Sequence, residues 1–295
     1  MSFTDGAFYE VRQEITSILK IYPTSFAEWV IIKEPFDFRR YDFDQKRIRL
    51  DEDKKRSKTE EDPEETEKHS RWRAKTKIID LALANEFDLF PTFTFKENRY
   101  DVDALKRQMS VWLNNQRVIR GPFRYIIVPE YHKRCEDCVN TNNDPCSHPD
   151  APKAIHFHAL FGGYEGNLVD RGHKDKHGRT KYDIDSFQLG ISTAIKIDPS
   201  LDDRMSVAGY VSKYMTKEMP KFHGKQRYWR SNGLLLPVKI LNPLLTEQDK
   251  ERFQVTYDSK TKTTLQLRGE LTAADIERIS NYGGPREDDL RVVEW

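Results

Sequence analysis

Apolar positions recur along this chain with two different periods, and the switching between them predicts its elements. Phe90-Pro91-Thr92-Phe93-Thr94-Phe95 alternates with period two and reads as a strand. Residues Phe123–Glu130, 154–162 and Phe187–Ile197 also read as strands. Helical spacing fills the intervals. Ser70 is placed to cap a helix that carries Ala74, Ile78, Leu81 and Ala82 and ends near Asn85. Asp103 is placed to cap another with Leu105, Met109, Trp112 and Leu113, and a third helix is expected over 203–217. Residues 163–180 are rich in Gly, His and charge and are expected to form a loop. The sum is an α+β fold, a mostly antiparallel β-sheet flanked by helices, with a long hairpin between 130 and 154.

The flanks are patterned differently. Phe8, Val11, Ile15 and Leu19 fall at helical spacing, and Trp29-Val30-Ile31-Ile32 suits a short strand or a docking segment. Between 51 and 70 there are nine acidic and five basic residues and no aliphatic or aromatic side chain. Such a composition cannot offset the entropy of ordering, so a disordered linker is expected there. The layout is therefore an N-terminal extension over 1–50, the linker over 51–70, a main domain over 71–236 and a C-terminal region over 237–295. The last is expected to be an α/β appendage: a hairpin of Phe253–Tyr257 and Thr263–Leu267, then a short helix over Thr272–Ser280.

No apolar stretch of the 295 residues approaches membrane-spanning length, and the first residues lack a signal-peptide layout. A cytoplasmic protein without a membrane partner is the expectation. Net charge is +1, so bulk charge does not announce a polyanionic partner. Its distribution says more: from Arg204 to Arg230 there are seven Lys/Arg and one acidic residue, Glu218. Lys221, Lys225, Arg227 and Arg230 in that strip are candidates for contact with a phosphate backbone.

Candidate chemistry lies on the expected strands. In Ile155-His156-Phe157-His158-Ala159 the two imidazoles share one strand face. Glu130 ends the preceding strand, and pairing of the two strands would bring its carboxylate to the imidazoles. Two imidazoles and a carboxylate suit Mg²⁺ or Mn²⁺ acting on a phosphate. On the expected 203–217 helix, Ala208, Val211 and Met215 share one side, while Tyr210, Lys213, Tyr214 and Lys217 share the other. A phenol is a poor nucleophile at its ordinary pKa of about 10, and a neighbouring ammonium favours the phenolate. All three cysteines lie within the long hairpin. Cys135, Cys138 and Cys146, followed by His148, have the spacing of a closed structural Zn²⁺ site, a knuckle over 135–148.

Taken together, these segments resemble the rolling-circle replication initiators of the HUH endonuclease superfamily, in the branch carried by phages and bacterial plasmids. Phe90–Phe95 is similar to the first family motif and His156-Phe157-His158-Ala159-Leu160-Phe161 to the second. Tyr210-Val211-Ser212-Lys213 and the overlapping Tyr214-Met215-Thr216-Lys217 both match the third, Tyr-x-x-Lys. Glu130 sits where these proteins carry a third ligand, and Trp229-Arg230-Ser231-Asn232-Gly233-Leu234 resembles a downstream segment. The resemblance spans residues 70–236. It implies the HUH fold and tyrosine attack on an origin strand, leaving a 5′-phosphotyrosine and a free 3′-OH. It also implies single-stranded origin DNA, a host helicase and a host polymerase as partners, in a bacterial cell or a phage-infected bacterium. No Gly-x-x-x-x-Gly-Lys-Ser/Thr run is present, so a fused helicase is not expected. A mobilisation relaxase or single-strand transposase would share the chemistry, and a non-catalytic DNA-binding repressor could share the fold.

Overall fold

The computed structural model describes residues 12–23, 26–39, 63–133, 135, 151–216, 218–269 and 271–282. The first described elements are strands β1 (Arg12–Ile21) and β2 (Ala27–Arg39). Helix α1 (Pro63–Ala84), strand β3 (Leu89–Phe95) and helix α2 (Val102–Arg120) follow. Next come β4 (Arg124–Tyr131), β5 (Ile155–Gly162), β6 (Leu168–Lys174), β7 (Thr180–Ile184) and β8 (Gly190–Lys196). Helix α3 (Leu201–Lys213) and the short β9 (Trp229–Arg230) lead to β10 (Val238–Leu241). A one-turn helix α4 (Glu247–Glu251), the hairpin β11 (Phe253–Asp258) and β12 (Lys262–Leu267), and helix α5 (Ala273–Tyr282) are the last of the described elements. These elements make an α+β protein with two antiparallel sheets.

The sheets belong to two compact units, one built from residues 62–235 and the other from both ends of the chain, 1–61 and 236–295. The terminal unit corrects the expected separation of an N-terminal extension from a C-terminal appendage. Its sheet runs β10-β1-β2-β12-β11, so strands from the two ends interleave. It also corrects the helical reading of Ile15 and Leu19, which lie on a strand; Phe8 and Val11 lie outside the described residues. Local spacing lost because β1 finds backbone partners on both edges, β2 on one and β10, more than two hundred residues away, on the other. Leu19, Ile21, Ala27, Ile240, Leu265 and Leu267 then cover one face, closed by Ile276 and Ile279 of α5. Trp29 meets Phe253 edge-on at 5.8 Å.

The central unit carries a seven-stranded sheet in the order β6-β7-β8-β3-β5-β4-β9, antiparallel throughout. Its two faces are covered by different helices. Phe93, Phe95, Tyr125, Ile127, Phe157, Phe161 and Ala194 pack on Leu105, Met109, Trp112 and Leu113 of α2. On the opposite face, Leu160 of β5 lines a small cavity with Ala82 of α1 and Val207 and Ala208 of α3. Asp101, not the expected Asp103, caps α2: its carboxylate accepts from the Asp103 and Ala104 amides, and Asp103 lies within the first turn.

Three larger boundary differences stand beside the shifted α2 cap and the start of β8 at Gly190 rather than Phe187. Helix α1 begins at Pro63, so residues 63–70 are helical rather than linker; residues 51–62 lie outside the described residues. Proline suits the first helical position, and Glu67 is held by Arg227 and by Lys221, the latter at 3.1 Å. The expected loop over 163–180 contains β6 and the start of β7, a hairpin at the sheet edge. Its polar, exposed strand carries no apolar alternation, while Asp175 organises the turn by accepting from the His177 and Arg179 amides. Finally, α3 stops at Lys213 instead of 217. Tyr214 N–H donates to Val211 O and Met215 N–H to Ser212 O, which tightens and closes the last turn.

Asp249 ties the terminal unit together. Its carboxylate accepts from both arms of the Arg278 guanidinium, at 2.9 and 2.7 Å, and from the Thr246 amide at 2.9 Å. Arg278 above all, with Thr246, holds the carboxyl at about 2, against the opposing effect of burial and below its usual 3.8. A depressed folded pKa contributes stability that is present above about pH 4 and lost as pH falls toward 2. Asp249→Asn is therefore expected to cost ~2 kcal/mol near neutrality and to flatten the acid limb of the unfolding profile. Thermal melting from neutrality down to pH 2 tests this; identical acid limbs in both proteins would refute it.

Candidate metal centre and its tyrosines

Antiparallel register builds the site. Glu130 of β4 lies opposite His156 of β5, and Val128 opposite His158. On the other edge of β5, Thr94 faces His156 and Thr92 faces His158. Side chains of opposed residues project to the same face, so Glu130, His156, His158, Thr92 and Thr94 all stand on the side away from α2. The expected pairing of Glu130 with the two imidazoles is thus present. Glu130 Oε2 accepts from His156 Nε2 at 2.7 Å and from His158 Nε2 at 2.8 Å. The two imidazole nitrogens are 3.3 Å apart.

Burial would push the Glu130 carboxyl up, but the two imidazole hydrogen bonds and their charge hold it at about 2. His158 moves the other way: burial disfavours its cation more than the Glu130 hydrogen bond restores it, so its pKa falls. An ionised carboxylate beside a neutral imidazole is the protonation state a cation requires of its ligands. The ligand atoms of Glu130, His156 and His158 lie within 4.8 Å of one another, and this cluster can hold a metal ion. Thr92 Oγ1 lies 3.1 Å from His158 Nδ1, which fixes the ring from behind.

Helical spacing separates the two tyrosines. Tyr214, still αR at the C-cap of α3, follows Val207 and Val211 on the inward side and is 8 % exposed, so it is not on the outward face expected of it. Its ring stacks on His158, with centroids 3.7 Å apart and planes 3° from parallel. Burial raises its pKa, and a hydrogen bond with Tyr210 and the Glu130 charge add to the rise. Tyr210 remains on the helix and 46 % exposed, edge-on to Tyr214 at 5.3 Å and to Phe90 at 5.6 Å. Lys213 Nζ sits 5.6 Å from the Tyr210 ring centre. The two phenols therefore share one site with the imidazoles but differ in burial and in neighbours.

The basic candidates divide. Lys225 and Arg230 are exposed. Arg227 is buried; it pairs with Glu67 and donates to Thr216 O at 3.1 Å, so it pins the segment after α3 to α1. Lys221 pairs with the same carboxylate. Lys217, Cys138, Cys146 and His148 lie outside the described residues, whereas Cys135 is buried.

Sequence reasoning missed His132, whose ring lies 4.9 Å from that of His156. Burial first, then the His156 charge, lowers its pKa. The signal was available: His132 stands two residues after Glu130, on the same side of the extended chain. Phe90 was missed as a wall of the site; it lies nearly parallel to the His158 ring at 6.0 Å. It too follows the two-residue rule, ahead of Thr92 and Thr94.

No protein-family model, no curated protein and no solved structure matches the chain. What fold and site define is an α+β protein with a two-histidine, one-carboxylate cluster on a central sheet, faced by a tyrosine pair. Among the described residues no helix is long and apolar enough to cross a membrane.

If the Thr92 hydroxyl orients His158, Thr92→Val should weaken Mn²⁺ binding by roughly 10- to 100-fold, while His156→Ala or His158→Ala removes it. Calorimetric titration of the full chain measures both. Equal affinity in Thr92→Val would show that packing alone holds the ring.

Proposed function

We propose that this protein is a nicking and closing endonuclease for single-stranded DNA, with a tyrosine nucleophile and a divalent metal, and that it initiates rolling-circle replication at an origin. The observation that carries the reading is the stacking of Tyr214 on His158, beside Tyr210, over the Glu130–His156–His158 cluster. It puts phenols next to a group of residues suited to hold a cation on phosphate.

Mg²⁺ or Mn²⁺ held by Glu130, His156 and His158 would polarise the scissile phosphate and favour its developing charge. A Tyr210 phenolate oxygen attacks phosphorus and the bond from phosphorus to the 3′-oxygen breaks. The 5′-phosphate stays on the tyrosine, and the departing 3′-oxygen takes a proton to become a free hydroxyl. Tyr210 is the first nucleophile because it is exposed to an incoming strand and has Lys213 over its ring to favour the phenolate. Tyr214, buried and with its acidity suppressed, is the second, for rejoining. Lys217 would help as a second cation. The 3′-hydroxyl primes a host polymerase, and a host helicase opens the duplex. Lys225 and Arg230 are free to meet the phosphate backbone, and a cytoplasmic location suits these partners. Cys135, Cys138, Cys146 and His148 would close a structural Zn²⁺ site beside Glu130.

Incubation with a labelled single-stranded origin oligonucleotide and Mn²⁺, followed by proteolysis and mass spectrometry, maps the adduct. Tyr210→Phe should lose the first adduct, and Tyr214→Phe should form it but fail to rejoin. His156→Ala should lose both steps while melting normally. Cleavage that persists without any tyrosine adduct would defeat the reading. Elemental analysis of protein purified without added metal should find about one zinc per chain; a folded, zinc-free preparation counts against the knuckle.

A further inference from the structure

The middle turns of α1 carry charge that the site has not used. From Lys68 to Ile79 there are five cations, Lys68, Arg71, Arg73, Lys75 and Lys77, and no acidic residue. None of the five makes an ion pair among the described residues. Trp72 lies in their midst and is 57 % exposed. The helix turns its other side inward: Ala74, Ile78 and Leu81 recur at helical spacing, and Ile78 and Leu81 are fully buried. Lys68, Trp72 and Arg73 are exposed on the outward side, and Arg71 and Lys75 are half-buried at its edge, with Lys68, Trp72 and Lys75 neighbours at i, i+4 and i+7.

Position makes the stripe informative. Helix α1 packs against α3. At one end Arg204 of α3 donates to Leu83 O, and at the other Glu67 holds Arg227, which donates to Thr216 O. The two helices therefore run antiparallel, and the basic turns of α1 lie beside the end of α3 that carries Tyr210 and Tyr214. We propose that this face of α1 is a binding surface for single-stranded DNA, with Trp72 as the platform for one base and Lys68, Arg71, Arg73 and Lys75 on the flanking phosphates. The location beside the tyrosines gains its meaning from the nicking reading, and the surface would hold the strand next to them. A lone exposed indole suits an unpaired base, since the bases of an intact duplex are already stacked. A membrane is the poorer fit. An interfacial helix needs a broad free apolar face, and that of α1 is already buried in its own domain.

Binding of a fluorescein-labelled oligothymidylate to the full chain in EDTA, followed by anisotropy over a range of salt, separates the possibilities. Trp72→Ala should weaken binding about tenfold or more, and Trp72→Phe should restore most of it. Joint replacement of Lys68 and Lys75 by Ala should reduce the slope of log K against log salt by about 1.4, two phosphate contacts' worth. Circular dichroism and melting should be unchanged, because Lys68 and Trp72 are exposed and neither Lys68 nor Lys75 makes an ion pair among the described residues. Wild-type affinity and slope in these variants would overturn the proposal, as would equal loss on Trp72→Ala and Trp72→Phe. Tighter binding to duplex of the same length, or Trp72-dependent binding to phosphatidylserine vesicles in place of the oligonucleotide, would also overturn it. Intact binding without nicking in Mn²⁺ would sink the nicking reading alone. Nicking with unaltered binding in the α1 variants would sink this one alone.

Discussion

One carboxylate oxygen receives two imidazoles, and the rest of the site depends on that shared contact. Glu130 Oε2 can meet His156 and His158 together only while β4 and β5 keep their register. A slip of one residue would turn Glu130 to the α2 face and put Pro129 in its place. What prevents the slip lies on the opposite side. Phe157, Ala159 and Phe161 alternate with the two histidines and are fully buried against α2. The apolar face therefore supplies the energy, and the polar face inherits the geometry.

Electrostatics then makes the cluster suited to a cation. Burial pulls Glu130 toward neutrality and His158 away from its charge, and the hydrogen bonds between them settle which wins at each group. The carboxylate stays ionised because it has two donors, whereas burial outweighs the single carboxylate contact at His158. Thr92 behind that ring and Tyr214 stacked across it leave His158 little freedom to rotate.

Position around the helix decides the roles of the two tyrosines. Tyr214 follows Val207 and Val211 on the inward edge of α3, whereas Tyr210 lies farther round toward solvent. One is an exposed phenol beside a cation and the other a buried one beside imidazole. The closing segment is anchored by Arg227, which spans from Thr216 to Glu67 on α1. A basic residue read as a surface contact is thus part of the frame that holds the tyrosine end of α3.

Much of the central unit was legible without coordinates. Period-two alternation marks β3, short apolar runs mark β4 and β5, and the pleat of a strand puts His156 and His158 on one face; the same rule sets Phe90 beside Thr92 and Thr94 and, two residues past Glu130, adds His132. These are local rules, because the direction of a side chain on a strand follows from backbone geometry alone. The hairpin of β6 and β7 was not legible, since an exposed edge strand needs no apolar alternation. The helical start at Pro63 was hidden by composition, since 63–70 carries no apolar residue and is held by Glu67 through partners about 155 residues away. Likewise β1 carries a helix-like spacing that yields to pairing with β10. The sequence by itself determined which residues can bind a cation and which face of a strand they occupy. Only the tertiary structure decided that the two chain ends share a sheet and that Tyr214 stacks on His158, because both depend on contacts between segments far apart in the chain.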